Sequence, residues 1–161
     1  MDLTTLSRLS SEVRWTHCRQ GMRVPLKRSW VVPGEERLSY TTIVRLVECC
    51  REMHWDQDVA LGGDGLDTTF DSISRALECD FRRPVLLGKP LVIHYHVGEI
   101  GRTSYTLILS GIPMGGGMPS FVCKLVIVLV NRLTLRPVVI PAWLRIRLDR
   151  LAKHRQSKRR R

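Results

Sequence analysis

One segment, Leu38–Trp55 (LSYTTIVRLVECCREMHW), carries a helical hydrophobic period, and the segments downstream of it have the short apolar or alternating runs of strands. At 100° per residue, Ile43, Leu46, Val47, Cys50 and Met53 fall on one arc with His54 inside it. Arg45, Arg51 and Glu52 lie away from that arc and Glu48 lies at its border. Ser39 stands where a helix N-cap belongs. The strand segments are Phe70–Arg82, Leu91–Glu99, Thr103–Ile112 and Phe121–Val130. Turn signals at Arg83-Pro84, Gly88-Lys89-Pro90, Gly101 and Pro113–Pro119 separate them. Upstream, Arg23–Val32 reads as a first strand closed by Pro33-Gly34. Downstream, Trp143–Ala152 reads as a short helix. One helix set between a first strand and four consecutive, mostly antiparallel strands defines an α+β fold.

Composition narrows the function classes. A chain of 161 residues with 43% hydrophobic and 25% charged residues supports a single core that needs no disulfide staples. The net charge of +11 is concentrated: Arg145–Arg161 holds nine Lys/Arg and one acid, leaving 17 basic and 14 acidic residues in the other 144. That distribution argues against a nucleic-acid face spread over the fold. The organisation expected is an arm or short helix over residues 1–22 (Leu3–Trp15), a domain over 23–152, and a basic tail over 153–161. The tail would steer an acidic partner or serve solubility. Five cysteines form no CxxC pair, so neither a disulfide framework nor a zinc site is expected, in keeping with a reducing cytoplasm. No apolar run reaches the length of a membrane span, the longest being Leu125–Val130, and no export signal is read at the N-terminus. The expected location is cytoplasmic, without a membrane partner.

The run FRRPVLLGKPLVIHYHVGEIGRTSYTLILSGI (Phe81–Ile112) reads aromatic-x-Arg-Pro-x-x-x-Gly-Lys-x-Leu and then Gly-x-x-Ser. In this it resembles the 4-hydroxybenzoyl-CoA thioesterase-like group. Val130–Leu148 is similar to the final strand and closing helix of those enzymes. The resemblance extends from about Arg23 to Leu148. It implies a hotdog fold, a curved antiparallel sheet wrapped round one long helix, working as a homodimer or homotetramer with sites at the subunit boundary. The sequence departs from the group at the chemistry centre. Ser39-Tyr40-Thr41 stands where one subgroup has His-Gly-Gly, and Pro33 and Arg37 fall where another has Asp and His.

The implied activity is hydrolysis of an acyl thioester carried on coenzyme A or acyl carrier protein, with no cofactor and no metal. Backbone N–H groups at the helix start, from Tyr40, Thr41 and Thr42, would polarise the thioester carbonyl. Glu48, where the group's acid lies, would be general base or nucleophile, or else a salt-bridge partner of Arg45 or Arg51. Glu35 and Glu36 are the fallback acids. Ser39, Arg83, Arg102 and Ser104 would bind substrate, the arginines, with Arg82 and Lys89, holding carrier phosphates near the pantetheine entrance. His54 reads as a core histidine or a base, and His94 with His96 as two strand neighbours lacking a third metal ligand. Two rivals stand beside hydrolysis: addition of water or an amine such as glycine to an α,β-unsaturated thioester, and a non-catalytic acyl- or partner-binding module. Nucleic acid is not an expected partner.

Overall fold

The computed structural model describes residues 16–18, 21–56 and 69–153. The proposed N-terminal helix, most of the Gly/Asp-rich segment before Phe70 and nearly all of the basic tail lie outside the described residues. The strands are β1 (Thr16–Cys18), β2 (Gly21–Val24), β3 (Phe70–Phe81), β4 (Leu91–Ile100), β5 (Ser104–Pro113) and β6 (Phe121–Asn131). The helices are α1 (Tyr40–His54) and α2 (Ala142–Lys153), with a 3-10 turn at Arg28–Trp30. Among the described residues, no helix is long and apolar enough to cross a membrane.

The strands hydrogen-bond in the order β1-β2-β4-β5-β6-β3. In the β2–β4 pair, Met22 lies opposite Ile93 and Val24 opposite Leu91, in antiparallel register. The Gly101 N–H donates to the Ser104 carbonyl across the β4–β5 turn. Bonds from Ser120 to Gly111 and from Leu129 to Thr103 fix β5 and β6 in opposite directions. Bonds from Arg82 to Ser120 and from Arg132 to Thr69 do the same for β3 and β6.

The first strand is shorter than the expected Arg23–Val32. Pro25 carries no N–H for the ladder, so β2 stops at Val24 and the next residues turn through Arg28–Trp30. Val31 then meets Leu38 in a single bridge. Past the end of β6, Pro137 meets Val130 in a single bridge.

The chain divides into two compact units. The first comprises the described residues up to Glu52, Cys79–Tyr95 and Leu109–Cys123. Its core holds Met22, Leu38, Ile43, Leu46, Val47, Leu91, Ile93, Leu109 and Phe121. Of the expected arc of α1, Ile43, Leu46, Val47 and Cys50 are buried with Cys49 beside them, while Met53 is half-buried. Gly111 is buried beside Phe121, and a Cβ there would collide with the ring, so only glycine lets the two strands approach. Cys79 and Cys123 face each other on β3 and β6 with Cα atoms 4.2 Å apart and are joined as a disulfide. This corrects the expectation of unpaired cysteines: residues 44 apart in sequence become neighbours because β3 lies beside β6.

The second unit comprises Met53–Glu78, His96–Ile108 and the described residues from Lys124. It buries Val97, Tyr105, Leu107 and the run Leu125, Ile127, Val128, Leu129 and Val130. Leu144 and Leu148, one helical turn apart, give α2 its buried face. Phe70 sits between Trp55 (ring centroids 6.3 Å apart) and Trp143 (6.2 Å). The Arg145 guanidinium donates to the carbonyls of Gly101 (2.8 Å) and Ile100 (3.3 Å), tying α2 to the β4–β5 turn.

Candidate active site

The helix start is the best-defined polar feature of the first unit. The Ser39 hydroxyl accepts the Thr42 N–H at 3.1 Å and lies 2.9 Å from the Thr42 hydroxyl, while the Ser39 carbonyl accepts the Ile43 N–H at 3.1 Å. Ser39 is therefore the N-cap the sequence predicts. The cap also corrects one expectation: the Thr42 N–H is consumed by Ser39 and is not offered to a ligand. Among the described residues nothing accepts from the amides of Tyr40 and Thr41, so two donors remain at the positive end of the helix dipole.

These donors are held in place from outside the helix. Leu38 donates to the Val85 carbonyl and Leu87 to the Glu36 carbonyl, each at 2.9 Å, so the entry to α1 runs alongside Val85–Leu87. Beside it opens a cavity of about 370 Å³ lined by Arg37, Leu38, Tyr40, Ile43, Phe81, Arg82, Arg83, Pro84 and Val85. Leu38, Ile43 and Val85 form its buried apolar part. Tyr40, 57% exposed, lies 4.4 Å from Phe81 between ring centroids and supplies an aromatic wall. Of the three guanidinium groups, Arg37 pairs with Glu35 and Arg82 with Asp80 at 2.7 Å. Arg83 instead reaches the Met118 sulfur at 3.6 Å, with no carboxylate beside it among the described residues.

The remaining candidates are not among the residues that line this cavity. Glu48 is half-buried and its carboxylate accepts from the Arg51 Nε at 2.8 Å, one of the two helical pairs named as the alternative to a catalytic role; Arg51 also reaches Glu52. At 1.5 Å rise per residue, Glu48 is roughly 12 Å along α1 from Tyr40. Glu35 is committed to Arg37, and Glu36 is an exposed residue of the same loop. Arg102 and Ser104 belong to the second unit, in the turn that Arg145 braces. His54 is fully buried there, edge-on to Tyr105 at 6.3 Å. His94 and His96 are half-buried on β4, and among the described residues no three His, Cys, Asp or Glu gather as a metal site. The pairing of Arg37 with Glu35 and the Tyr40–Phe81 contact were not read from the sequence; the second joins the helix start to the end of β3, residues far apart in the chain.

Residues 51–107 match the model of the thioesterase superfamily. Solved structures share the fold across most of the chain. One, a protein from Pseudomonas aeruginosa, is 19% identical, with 86% of this chain and 93% of that one covered and a TM-score of 0.70. A thioesterase from Thermus thermophilus, in complex with coenzyme A and zinc, is 19% identical over 84% of this chain and 98% of its own, with a TM-score of 0.64. A 1,4-dihydroxy-2-naphthoyl-CoA thioesterase from Synechocystis is 9% identical over 81% and 96%, with a TM-score of 0.68. No curated protein matches the chain at a significant level. The family match over residues 51–107 overlaps the Phe81–Ile112 motifs, and the fold is the hotdog fold shared with these solved structures.

Proposed function

We propose that the chain hydrolyses an acyl thioester whose carbonyl oxygen is held by the amides of Tyr40 and Thr41. The observation that carries this reading is the pair of uncommitted helix-start donors beside a cavity with an apolar floor. Negative charge that develops on the oxygen as water adds would be met by fixed dipoles that need no reorganisation. Glu48 takes the proton of the attacking water, the carbon–sulfur bond breaks, and the thiolate leaves to be protonated by solvent. Glu48 is too far along α1 to reach a carbonyl held at its own helix start, so the acid acting on that carbonyl comes from a second copy of the chain. Such a site makes the working unit a homodimer or a pair of dimers.

Arg83, the guanidinium without a carboxylate beside it, suits the phosphate of a phosphopantetheine arm, which coenzyme A and acyl carrier protein share. Coenzyme A bound to the Thermus relative supports that class of carrier. Hydrolysis is separated from addition chemistry by offering saturated and 2-enoyl acyl-CoAs side by side. Free thiol should appear from both, at comparable rates. Loss of the enoyl absorbance without thiol release, and no turnover of the saturated esters, would replace hydrolysis by addition.

A further inference from the structure

The turn that follows β6 and the helix after it carry apolar side chains that the core of the second unit leaves uncovered. Leu133 is 94% exposed and Leu135 67%; on α2, Trp143 (39%) and Ile146 (54%) lie three residues apart and share one stripe. The turn is tightly bonded. The Asn131 side-chain oxygen accepts the N–H groups of Leu133 (3.0 Å) and Thr134 (2.9 Å) and the Thr134 hydroxyl (3.2 Å). The Asn131 carbonyl accepts the Leu135 N–H at 2.8 Å. Leu135 is thereby held at φ 54°, the only non-glycine residue with a positive φ among the described residues. A leucine in that region costs stability, and an exposed one recovers none of it by burial. The turn and α2 meet at the start of β3: the Arg132 N–H donates to the Thr69 carbonyl at 3.1 Å, and Trp143 lies against Phe70 with ring centroids 6.2 Å apart. Between Arg132 and Lys153 the sequence has six Lys/Arg and a single acid, Asp149. Arg145 is committed to backbone carbonyls and Arg132 lies 3.8 Å from Asp71, whereas Arg136 and Arg150 are exposed.

We propose that this surface seats the protein on an anionic lipid bilayer, with Leu133, Leu135, Trp143 and Ile146 entering the headgroup boundary and Arg136 and Arg150 facing lipid phosphates. Charge complementarity selects the partner: basic side chains ring the exposed apolar ones, the combination that binds a protein to an anionic membrane surface. Tryptophan favours the boundary between hydrocarbon and water, and guanidinium groups bond phosphate oxygens in pairs. A leucine as exposed as Leu133 stands off the fold, which suits a soft medium that closes round it. A nucleic acid would engage the arginines and leave the leucines in water, and an acidic protein would need a pocket shaped for each of them. The length of apolar runs bears on spanning a membrane and says nothing of lying on one. The proposal does not depend on the thioesterase reading.

The test is flotation of the full chain with vesicles of phosphatidylcholine alone and of phosphatidylcholine mixed with phosphatidylglycerol. The wild type should float with the mixed vesicles and stay behind with the neutral ones. Leu133→Ser combined with Leu135→Asn should lower affinity for the mixed vesicles by about tenfold or more, with unchanged circular dichroism. Both positions are exposed and asparagine tolerates a positive φ, so the fold is not at stake. Arg136→Gln and Arg150→Gln should each lower affinity by about fivefold. Brominated acyl chains in the mixed vesicles should quench the fluorescence of the wild type more than that of Trp143→Phe. Absence of flotation with the mixed vesicles would overturn the proposal. So would a leucine variant that floats as well as the wild type, which would leave charge as the whole attraction, or equal quenching in Trp143→Phe. Binding to acyl carrier protein or to an oligonucleotide that the leucine variant loses, without flotation, would reassign the surface to that partner.

Discussion

The Ser39 hydroxyl carries two tasks, capping α1 and deciding which amides remain for a ligand. Replacing it with alanine should cost about 1 kcal/mol of stability, read as a lower urea midpoint, because the Thr42 N–H loses its acceptor. An unchanged midpoint would mean that the cap does not hold the helix start. Cys49 is tuned by its surroundings: burial first, then Glu52 and Glu48, push its thiol from 9.0 up to about 11. Burial moves the neighbouring Cys50 thiol in the same direction. An unfolded chain releases these protons near their ordinary value while the fold retains them. The stability they contribute is therefore complete below about pH 9 and is lost as pH rises through about 11. The urea midpoint should fall between about pH 8 and about pH 10.5, and less so in Cys49→Ala; equal slopes would contradict this. At this scale the sequence was informative where the rule is local. The cap and the Glu48–Arg51 pair depend only on helical spacing. The cavity beside Tyr40 depends on residues some 40 positions away, and no local period announces it.

Elements were legible wherever proline and glycine punctuate them. The last four strands end within a residue or so of where their turn signals place them, since Pro84, Pro90, Gly101 and the Pro113–Pro119 segment interrupt the ladder or supply the turn. The first strand was misjudged because its apolar residues beyond Pro25 serve a 3-10 turn and a single bridge. The Cys79–Cys123 link was invisible for a different reason: its partners meet through strand order, which spacing does not encode. A cross-link closing 44 residues stabilises a fold by about 4 kcal/mol in the chain-entropy account. Reduction should therefore lower the urea midpoint substantially, with two new alkylation sites found at Cys79 and Cys123 by mass spectrometry. Equal midpoints for the oxidised and reduced protein would show that the sheet needs no link there.

The two donors at Tyr40 and Thr41 and the carboxylate of Glu48 lie on one rigid helix, two turns apart, so the whole-molecule consequence of the proposed chemistry is a second copy of the chain. With Ser39-Tyr40-Thr41 in place of His-Gly-Gly, the proposed chemistry rests on backbone amides and one acid, the amides beside the cavity that Tyr40 and Phe81 line. The measurement that tests this most directly is free-thiol release from a panel of acyl-CoAs by the wild type and by Glu48→Gln, with the fold of each verified by circular dichroism. The wild type should release thiol, and the variant should be slower by about a hundredfold or more, the scale of a positioned general base. Thiol release undiminished in Glu48→Gln would contradict the role given to Glu48, and no release by the wild type from any acyl-CoA or acyl carrier protein would contradict hydrolysis itself.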